Sequence, residues 1–209
     1  MTTHAIDSIM FAVIPNLNRS MSFRIHFLGT HPFDLFPLPH LLSYPPHPST
    51  GICCIVNTDP SSKPGQHWVA FYRDLQKPPG HIEFFDSYGH PPSFYSFSLP
   101  DNLKIQSNTH QLQSFSTNVC GQYCILFLLL RASHQHSSPL EAVTYKLHSL
   151  STSSLLRDRQ VATLISSLCS KLHSPTPRKL SSSNVILWPS STSYIPSSLN
   201  QDSAPLSCP

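Results

Sequence analysis

A cysteine and a histidine, each at the start of an apolar run, could together perform nucleophilic chemistry in this chain. Cys120 opens the run 120–132, which predicts a helix. The free N–H groups and the dipole of a helix N-terminus lower the pKa of a thiol. Gly121 would let a substrate approach the backbone closely. A lone cysteine is more often a packed structural residue, so Cys120 as a nucleophile requires a base beside it.

A base and an acid are predicted at the ends of neighbouring strands. His67 begins the predicted strand 67–72, and Asp86 follows the predicted strand 82–85. If these strands form a hairpin, the two side chains lie at the same end of the sheet. The carboxylate could then hold the imidazole tautomer and stabilise its cation. Taken alone, His67 is one of 13 histidines and Asp86 is an ordinary turn residue.

A glutamine before the cysteine could complete the set. Gln113 precedes Cys120 in the loop leading to the helix, and its amide could join the Cys120 backbone N–H in binding an oxyanion. The nearby Gln106 and Gln111 show that position alone does not single it out. Together, the order histidine, acid, glutamine, cysteine predicts peptide cleavage by a thiolate. The residues predicted to contact substrate beside the base and the nucleophile are Gly65, Trp68 and Gly121.

A sheet and a central helix are predicted to position these residues. Residues 51–57 form a short apolar run with β-branched side chains, typical of a buried strand, and 67–72 and 82–85 add two further strands. The apolar run 120–132 predicts a buried helix, and a second helix is predicted over 140–147. The pattern indicates an α+β fold in which the cysteine-bearing helix packs on a mixed β-sheet.

The remaining segments divide the chain. Residues 1–24 are an N-terminal segment in which residues 10–14 could form a short strand or helical turn that Pro15 ends. The folded domain is predicted to span 25–170. Residues 171–209 are rich in Ser and Pro and predict a disordered tail.

Two parts of the predicted domain have distinct patterns. The prolines within 27–49 predict an irregular segment lying over the core. Near the end of the domain, Asp158 is predicted to cap a third helix. Its apolar positions recur at helical spacing: Val161, Leu164, Ile165 and Leu168.

Composition narrows the functional classes. Charged residues make up only 11% of the chain, and the formal net charge of +3 is not concentrated in basic runs, so nucleic-acid binding is only weakly indicated. No CxxC pair occurs among the six cysteines, which argues against a zinc site. The apolar run 124–130 is too short to span a bilayer. We therefore expect a soluble, intracellular, monomeric protein without a metal.

Four sequence blocks together resemble a known family of proteases. The chain is similar to the adenovirus endopeptidase (adenain), and it looks still more like the relatives encoded in Maverick/Polinton DNA transposons. The resemblance covers about residues 25–168. The matching blocks are IVNTDP at 55–60, PGQHWVA at 64–70, FDSYG at 85–89 and VCGQYC at 119–124.

The resemblance implies a papain-like fold and a specific activity. Enzymes of this family are thiol proteases that cleave capsid precursors after small, Gly-containing motifs during virus maturation. By this resemblance His67 is the base, Asp86 the acidic member, Gln113 the oxyanion donor and Cys120 the nucleophile. The family also implies a location in the nucleus or in a virion-like particle.

Departures from the family leave its cofactors and substrates open. Adenoviral enzymes are activated by a peptide joined through a disulfide, but residues 99–108 contain no cysteine. DNA as a cofactor is not supported by the scattered basic residues. We therefore expect no cofactor. Two alternatives remain: a protease that removes ubiquitin-like or SUMO proteins ending in Gly-Gly, and a decayed, inactive transposon copy that only binds peptides.

Overall fold

A computed structural model describes residues 1–20, 24–47, 50–133 and 140–172 of the chain, and the statements below concern these residues. The last 37 residues of the sequence, which carry most of the predicted tail, lie outside them. In chain order the elements are α1 Thr3–Ser20, β1 Arg24–Pro32, a 3-10 turn Phe33–Leu35, α2 Leu38–Ser43, β2 Thr50–Asn57, β3 Trp68–Asp74, β4 His81–Phe85, a 3-10 turn Pro92–Phe94, β5 Lys104–Ser107, α3 Cys120–Ser133, α4 Leu140–His148 and α5 Ser154–Leu172.

The strands form one mixed five-stranded sheet in the order β1-β2-β3-β4-β5. The outer pairs β1–β2 and β4–β5 are parallel, whereas β2–β3 and β3–β4 are antiparallel. Every residue of β2 and β3 is buried, because both faces of the sheet are covered. A mixed sheet with packed helices was predicted, and its three central strands lie within two residues of their predicted bounds.

Helix α3 is the centre of the main hydrophobic core. Its apolar side chains are buried on all sides, because α3 packs against β3 and against the helices α1, α4 and α5. Phe127 of α3 stacks on Phe85 at the end of β4, with ring centroids 4.4 Å apart. This contact fixes the helix against the strand that precedes Asp86. The predicted central position of the helix is confirmed.

Helix α1 differs from the prediction for the N-terminal segment. It runs unbroken through Pro15 instead of ending before it. Its apolar residues Ile6, Met10, Val13 and Leu17 are fully or almost fully buried in the main core. Burying each of them is worth about 1.5–3 kcal/mol, which outweighs the roughly 3 kcal/mol cost of a proline inside a helix. Pro15 itself lies on the exposed side, where water can bond the carbonyl it leaves free.

The segment predicted to be irregular also contains regular structure. Strand β1 pairs in parallel with β2, and the register shifts between Phe27 and Thr30, where Gly29 has a φ of +101°. Pro32 is the last residue of the strand, so no proline interrupts it. Helix α2 packs over the opposite face of the sheet through Leu41. The buried Arg73 of β3 ties this segment down by donating to the backbone carbonyls of Leu41, Leu42 and Tyr44.

The capping role predicted for Asp158 is wrong. Helix α5 begins at Ser154, so Asp158 lies in its second turn and is buried. It accepts hydrogen bonds from residues before and inside α3, because α5 packs against that helix. The predicted apolar positions Val161, Ile165 and Leu168 are buried as expected. Among the described residues, no helix is both long and apolar enough to cross a membrane.

Candidate active site

His67 and Asp86 meet where two antiparallel strands have their adjacent ends. His67 immediately precedes β3 and Asp86 immediately follows β4, and the pairing of Ala70 with Phe85 sets the register that brings them together. The Nε2 atom of His67 lies 2.6 Å from Oδ1 of Asp86. The histidine is 7% exposed and the aspartate 0%, so water does not compete for this hydrogen bond.

The Asp86 carboxylate is held from several directions. The backbone N–H groups of Tyr88 and His90 donate to it at 3.0 Å each, and the Tyr95 hydroxyl donates at 2.8 Å. Burial alone would raise the pKa of Asp86, but the hydrogen bonds from His67, Tyr88 and Tyr95 together lower it below its ordinary value. The carboxylate therefore stays ionised and fixes the orientation of the His67 ring.

The Cys120 thiol lies beside the same ring. Burial alone would raise the pKa of this thiol, but the His67 ring and the backbone N–H groups of Trp68 and Gly121 lower it below its ordinary value. Burial also disfavours the charged form of His67, yet the hydrogen bonds and charges of Asp86 and Cys120 raise its pKa to about 9. These opposite shifts favour a thiolate–imidazolium pair.

The two nitrogens of the His67 ring have different surroundings. Nε2 is bonded to Asp86, whereas Nδ1 is buried and completes no well-aligned hydrogen bond within the described residues. The thiol of Cys120 interacts with the ring without reaching good hydrogen-bond geometry at Nδ1. Such contacts are often loose before a substrate binds. Nδ1 is therefore the nitrogen that is free to exchange a proton with the thiol.

Cys120 differs from the other cysteines of the described residues. Cys124, one helical turn later, is fully buried and donates through its sulfur to the Trp68 carbonyl at 3.3 Å. Its pKa is raised well above the ordinary value, first of all by burial. Burial likewise raises the pKa of the remaining described cysteines, which are Cys53, Cys54 and Cys169. Cys120 is thus the described thiol whose pKa is lowered.

The Gln113 side chain is buried and held at both ends of its amide. Its Oε1 accepts from the Ser87 hydroxyl at 2.8 Å, which sets the direction of the amide group. Its Nε2 donates to the Thr117 carbonyl at 2.7 Å and, more weakly, to the Tyr88 hydroxyl at 3.3 Å. The amide therefore lies among residues of the site, and its Nε2 makes one short hydrogen bond and two long ones, the second long bond being to the Thr117 hydroxyl at 3.5 Å.

The loop that carries Gln113 is clamped by two adjacent residues of α5. Arg157 donates to the Leu112 carbonyl at 2.6 Å. Asp158 accepts from the backbone N–H of Ser114 at 3.0 Å and from the Thr117 hydroxyl at 2.6 Å. Because Arg157 and Asp158 are both buried, these bonds fix the path of the chain into α3.

The residues predicted to contact substrate have clear structural roles as well. Gly65 has a φ of +87°, and a Cβ there would meet Asn57 Nδ2 at 2.3 Å, so the loop before His67 requires glycine. A Cβ on Gly121 would lie 3.4 Å from Trp68 Cδ1 and 3.1 Å from Ile6 Cδ1. Their contact with substrate remains a prediction.

A row of aromatic rings extends from the base to the surface. Tyr88 stacks on His67 with centroids 4.6 Å apart, and Phe115 stacks on Tyr88 at 5.0 Å. Phe115 is 67% exposed. Sequence reasoning missed Tyr88 and Tyr95 as partners of the site. The aromatic residue in the FDSYG block was an available signal for Tyr88, whereas nothing marked Tyr95.

The described residues show no metal cluster at this site. No group of three His, Cys, Asp or Glu side chains among them could hold a metal ion. Two open cavities of about 480 Å³ lie elsewhere, one at the starts of β1 and β2 and one between β1 and α2. Neither is lined by Cys120, His67 or Asp86.

Comparison with known proteins supports a protease relationship. No family model matches the chain. A cysteine protease of African swine fever virus (isolate Tick/Malawi/Lil 20-1/1983) is 30% identical to it over 89 residues, which cover 37% of this chain and 33% of the relative. This chain is distantly similar to a viral cysteine protease. The match thus spans about a third of that relative's length.

A crystal structure of the African swine fever virus protease was also found. It is 24% identical in sequence and superimposes over 43% of this chain and 37% of its own length, with a TM-score of 0.31. Neither comparison extends to a transposon-encoded relative, so the similarity to Maverick/Polinton proteases remains a prediction.

Proposed function

We propose that this chain is a cysteine endopeptidase with an adenain-like, papain-type fold, in which Cys120 is the nucleophile and His67 the base. The observation that carries the proposal is the buried 2.6 Å bond between His67 and Asp86, next to the described thiol whose pKa is lowered. A packed structural cysteine would have its pKa raised by burial, as Cys124 does. The distant similarity to a viral cysteine protease agrees with this assignment.

The reaction follows from the arrangement of these groups. The Cys120 thiolate attacks the scissile carbonyl carbon, and the carbonyl π electrons move onto oxygen. The Cys120 backbone N–H and the Gln113 amide stabilise that oxyanion. The His67 imidazolium gives its proton to the leaving amine nitrogen, and the acyl-enzyme forms. His67 then takes a proton from water, which attacks the thioester and releases the acid, while Asp86 keeps the ring oriented.

We infer protein substrates cleaved at small, Gly-containing motifs, as in capsid precursors. The packing around Gly121 supports a narrow approach to the nucleophile. Trp68 and Ile6 pack within 3.4 Å of the position of a Cβ on Gly121, directly beside Cys120. A substrate with glycine near the cleaved bond would fit such a site with the least displacement of these side chains.

A panel of peptides with and without glycine next to the cleaved bond tests this function. The wild-type chain should cleave the glycine-containing peptides, and Cys120→Ala should cleave none. Cys124→Ala is the matched control, because Cys124 lies on the same helix but faces the core. Cleavage only at a C-terminal Gly-Gly of a ubiquitin-like protein would favour the deconjugating alternative. No cleavage of any member would contradict the proposal.

A further inference from the structure

Tyr88 contacts the residues of the site but has no role in the catalytic steps proposed above. It follows Asp86 by two residues, and its backbone N–H donates to the Asp86 carboxylate at 3.0 Å. Its ring lies against the His67 ring, with centroids 4.6 Å apart and planes inclined by 21°. The turn after β4 therefore places the phenol over the base, on the same side of the sheet end as Gln113.

The hydroxyl group of Tyr88 can donate a further hydrogen bond. Its oxygen accepts the long 3.3 Å hydrogen bond from Gln113 Nε2, so the lone pair is engaged on that side. Within the described residues, the hydroxyl proton of Tyr88 has no acceptor. By contrast, the Tyr95 hydroxyl donates its hydrogen bond to Asp86, at 2.8 Å. Tyr88 thus presents a free donor next to the amide that is proposed to bind the oxyanion.

We propose that the Tyr88 hydroxyl is a further hydrogen-bond donor to the oxyanion that forms when Cys120 attacks a substrate. This inference rests on the proposed protease function. The long bond between Gln113 and Tyr88 would open, so that the Gln113 N–H and the Tyr88 O–H both turn to the new negative charge. Tyr88 keeps its proton throughout, and the proton for the leaving amine still comes from His67.

The surroundings of the phenol suit a donor. Burial raises the pKa of Tyr88, and the negative charges of Cys120, Asp86 and Asp158 raise it further. The hydroxyl therefore keeps its proton over the whole range in which the thiolate–imidazolium pair exists.

Tyr88→Phe tests this role, because it keeps the ring on His67 and removes only the hydroxyl. We expect kcat for cleavage of a glycine-containing peptide to fall about 10–100-fold with little change in KM, since the bond is made in the transition state. Alkylation of Cys120 by iodoacetamide forms no oxyanion, so its rate and pH profile should not change. A kcat within about twofold of wild type would overturn the inference.

The matched control is Tyr95→Phe, the same change at a phenol that bonds Asp86. It should alter the pH profile of Cys120 alkylation, because it removes a donor that stabilises the Asp86 carboxylate. If Tyr88→Phe instead slowed alkylation as much as cleavage, the hydroxyl would act on the ion pair, and the oxyanion role would be wrong. A wild-type chain that cleaves no peptide would contradict the proposed function itself, whereas normal cleavage by Tyr88→Phe contradicts the Tyr88 role alone.

Discussion

Asp86 and Ser87 are neighbours in the chain but support two different parts of the site. Asp86 holds the His67 ring at 2.6 Å, while the Ser87 hydroxyl holds the Gln113 amide at 2.8 Å. Consecutive side chains leaving a strand point to opposite sides, so the end of β4 can serve both groups. Asp86→Asn should therefore lower kcat by roughly two to four orders of magnitude, because the asparagine no longer favours the productive tautomer and cation of His67.

Steady-state peptide cleavage measures this effect, and thermal melting controls for folding. Activity in Asp86→Asn equal to that of wild type would show that the carboxylate does not orient the base.

Gln113→Ala should lower kcat about 10²–10³-fold, because one oxyanion donor is lost while the Cys120 backbone donor remains.

The two cysteines of the VCGQYC block should respond in opposite ways to the same substitution. Cys120→Ser should abolish cleavage, because a serine hydroxyl is a far poorer nucleophile beside a base tuned for a thiolate. Cys124→Ser should retain activity, since its sulfur faces the Trp68 carbonyl and not the reacting ring. Side-by-side peptide assays of the two variants check this, and loss of activity in Cys124→Ser alone would reverse the assignment.

At the scale of elements, α5 positions the loop before the nucleophile. Asp158 accepts hydrogen bonds from Ser114, Thr117 and Tyr123; the bond from Tyr123 is buried, and the other two are partly buried. Asp158→Ala would leave these donors unsatisfied, which costs about 1–3 kcal/mol for each buried group. We expect the free energy of unfolding in urea to fall by about 2–4 kcal/mol and kcat to fall with it, because Gln113 loses its support.

Glu141→Ala is the control for that variant, because within the described residues the Glu141 side chain accepts one hydrogen bond, an exposed one from Gln106. Its unfolding free energy should stay within about 0.5 kcal/mol of wild type. Equal stability of Asp158→Ala and Glu141→Ala would mean that α5 does not clamp the loop.

The elements that could be predicted from sequence are those marked by the apolar and turn residues of their own segment. β2, β3, β4 and α3 are apolar runs bounded by turn residues, so composition and length identify them. α1 and β1 were missed because their stability depends on partners: α1 contains Pro15 but buries a full apolar face, and β1 is completed by pairing with β2. β5 has only one strongly apolar side chain among four residues.

The same distinction applies to the candidate site. The positions of His67, Asp86 and Cys120 at strand ends and a helix start could be predicted, because those boundaries are visible in the sequence. Asn108 and Asp158 could not, because each acts across a long stretch of chain. Asn108 exchanges hydrogen bonds with the Asp86 backbone 22 residues away, and Asp158 bonds Ser114 44 residues away.

At the scale of the whole molecule, truncation of the N-terminal end should affect folding far more than truncation of the C-terminal end. α1 contributes Ile6, Met10 and Val13 to the core that contains α3. Removing residues 1–20 would expose that core, and we expect loss of soluble protein. Truncation after Leu172 should leave solubility and peptide cleavage unchanged, because α5 ends there and the following sequence is rich in Ser and Pro. Expression and gel filtration of the two truncated chains compare them, and an insoluble chain ending at 172 would contradict the predicted tail.

The state of the Cys120 thiol tests the central claim most directly. The rate of Cys120 alkylation by iodoacetamide, followed by mass spectrometry across pH 4–10, reports the fraction of thiolate. His67 lowers the pKa of Cys120, so wild type should already react rapidly well below pH 8.5, the ordinary thiol pKa. In His67→Ala that reactivity at low pH should disappear, because burial, which raises the pKa of the thiol, is then opposed only by the backbone N–H groups of Trp68 and Gly121. A wild-type profile with its midpoint near 8.5, unchanged by His67→Ala, would contradict the account.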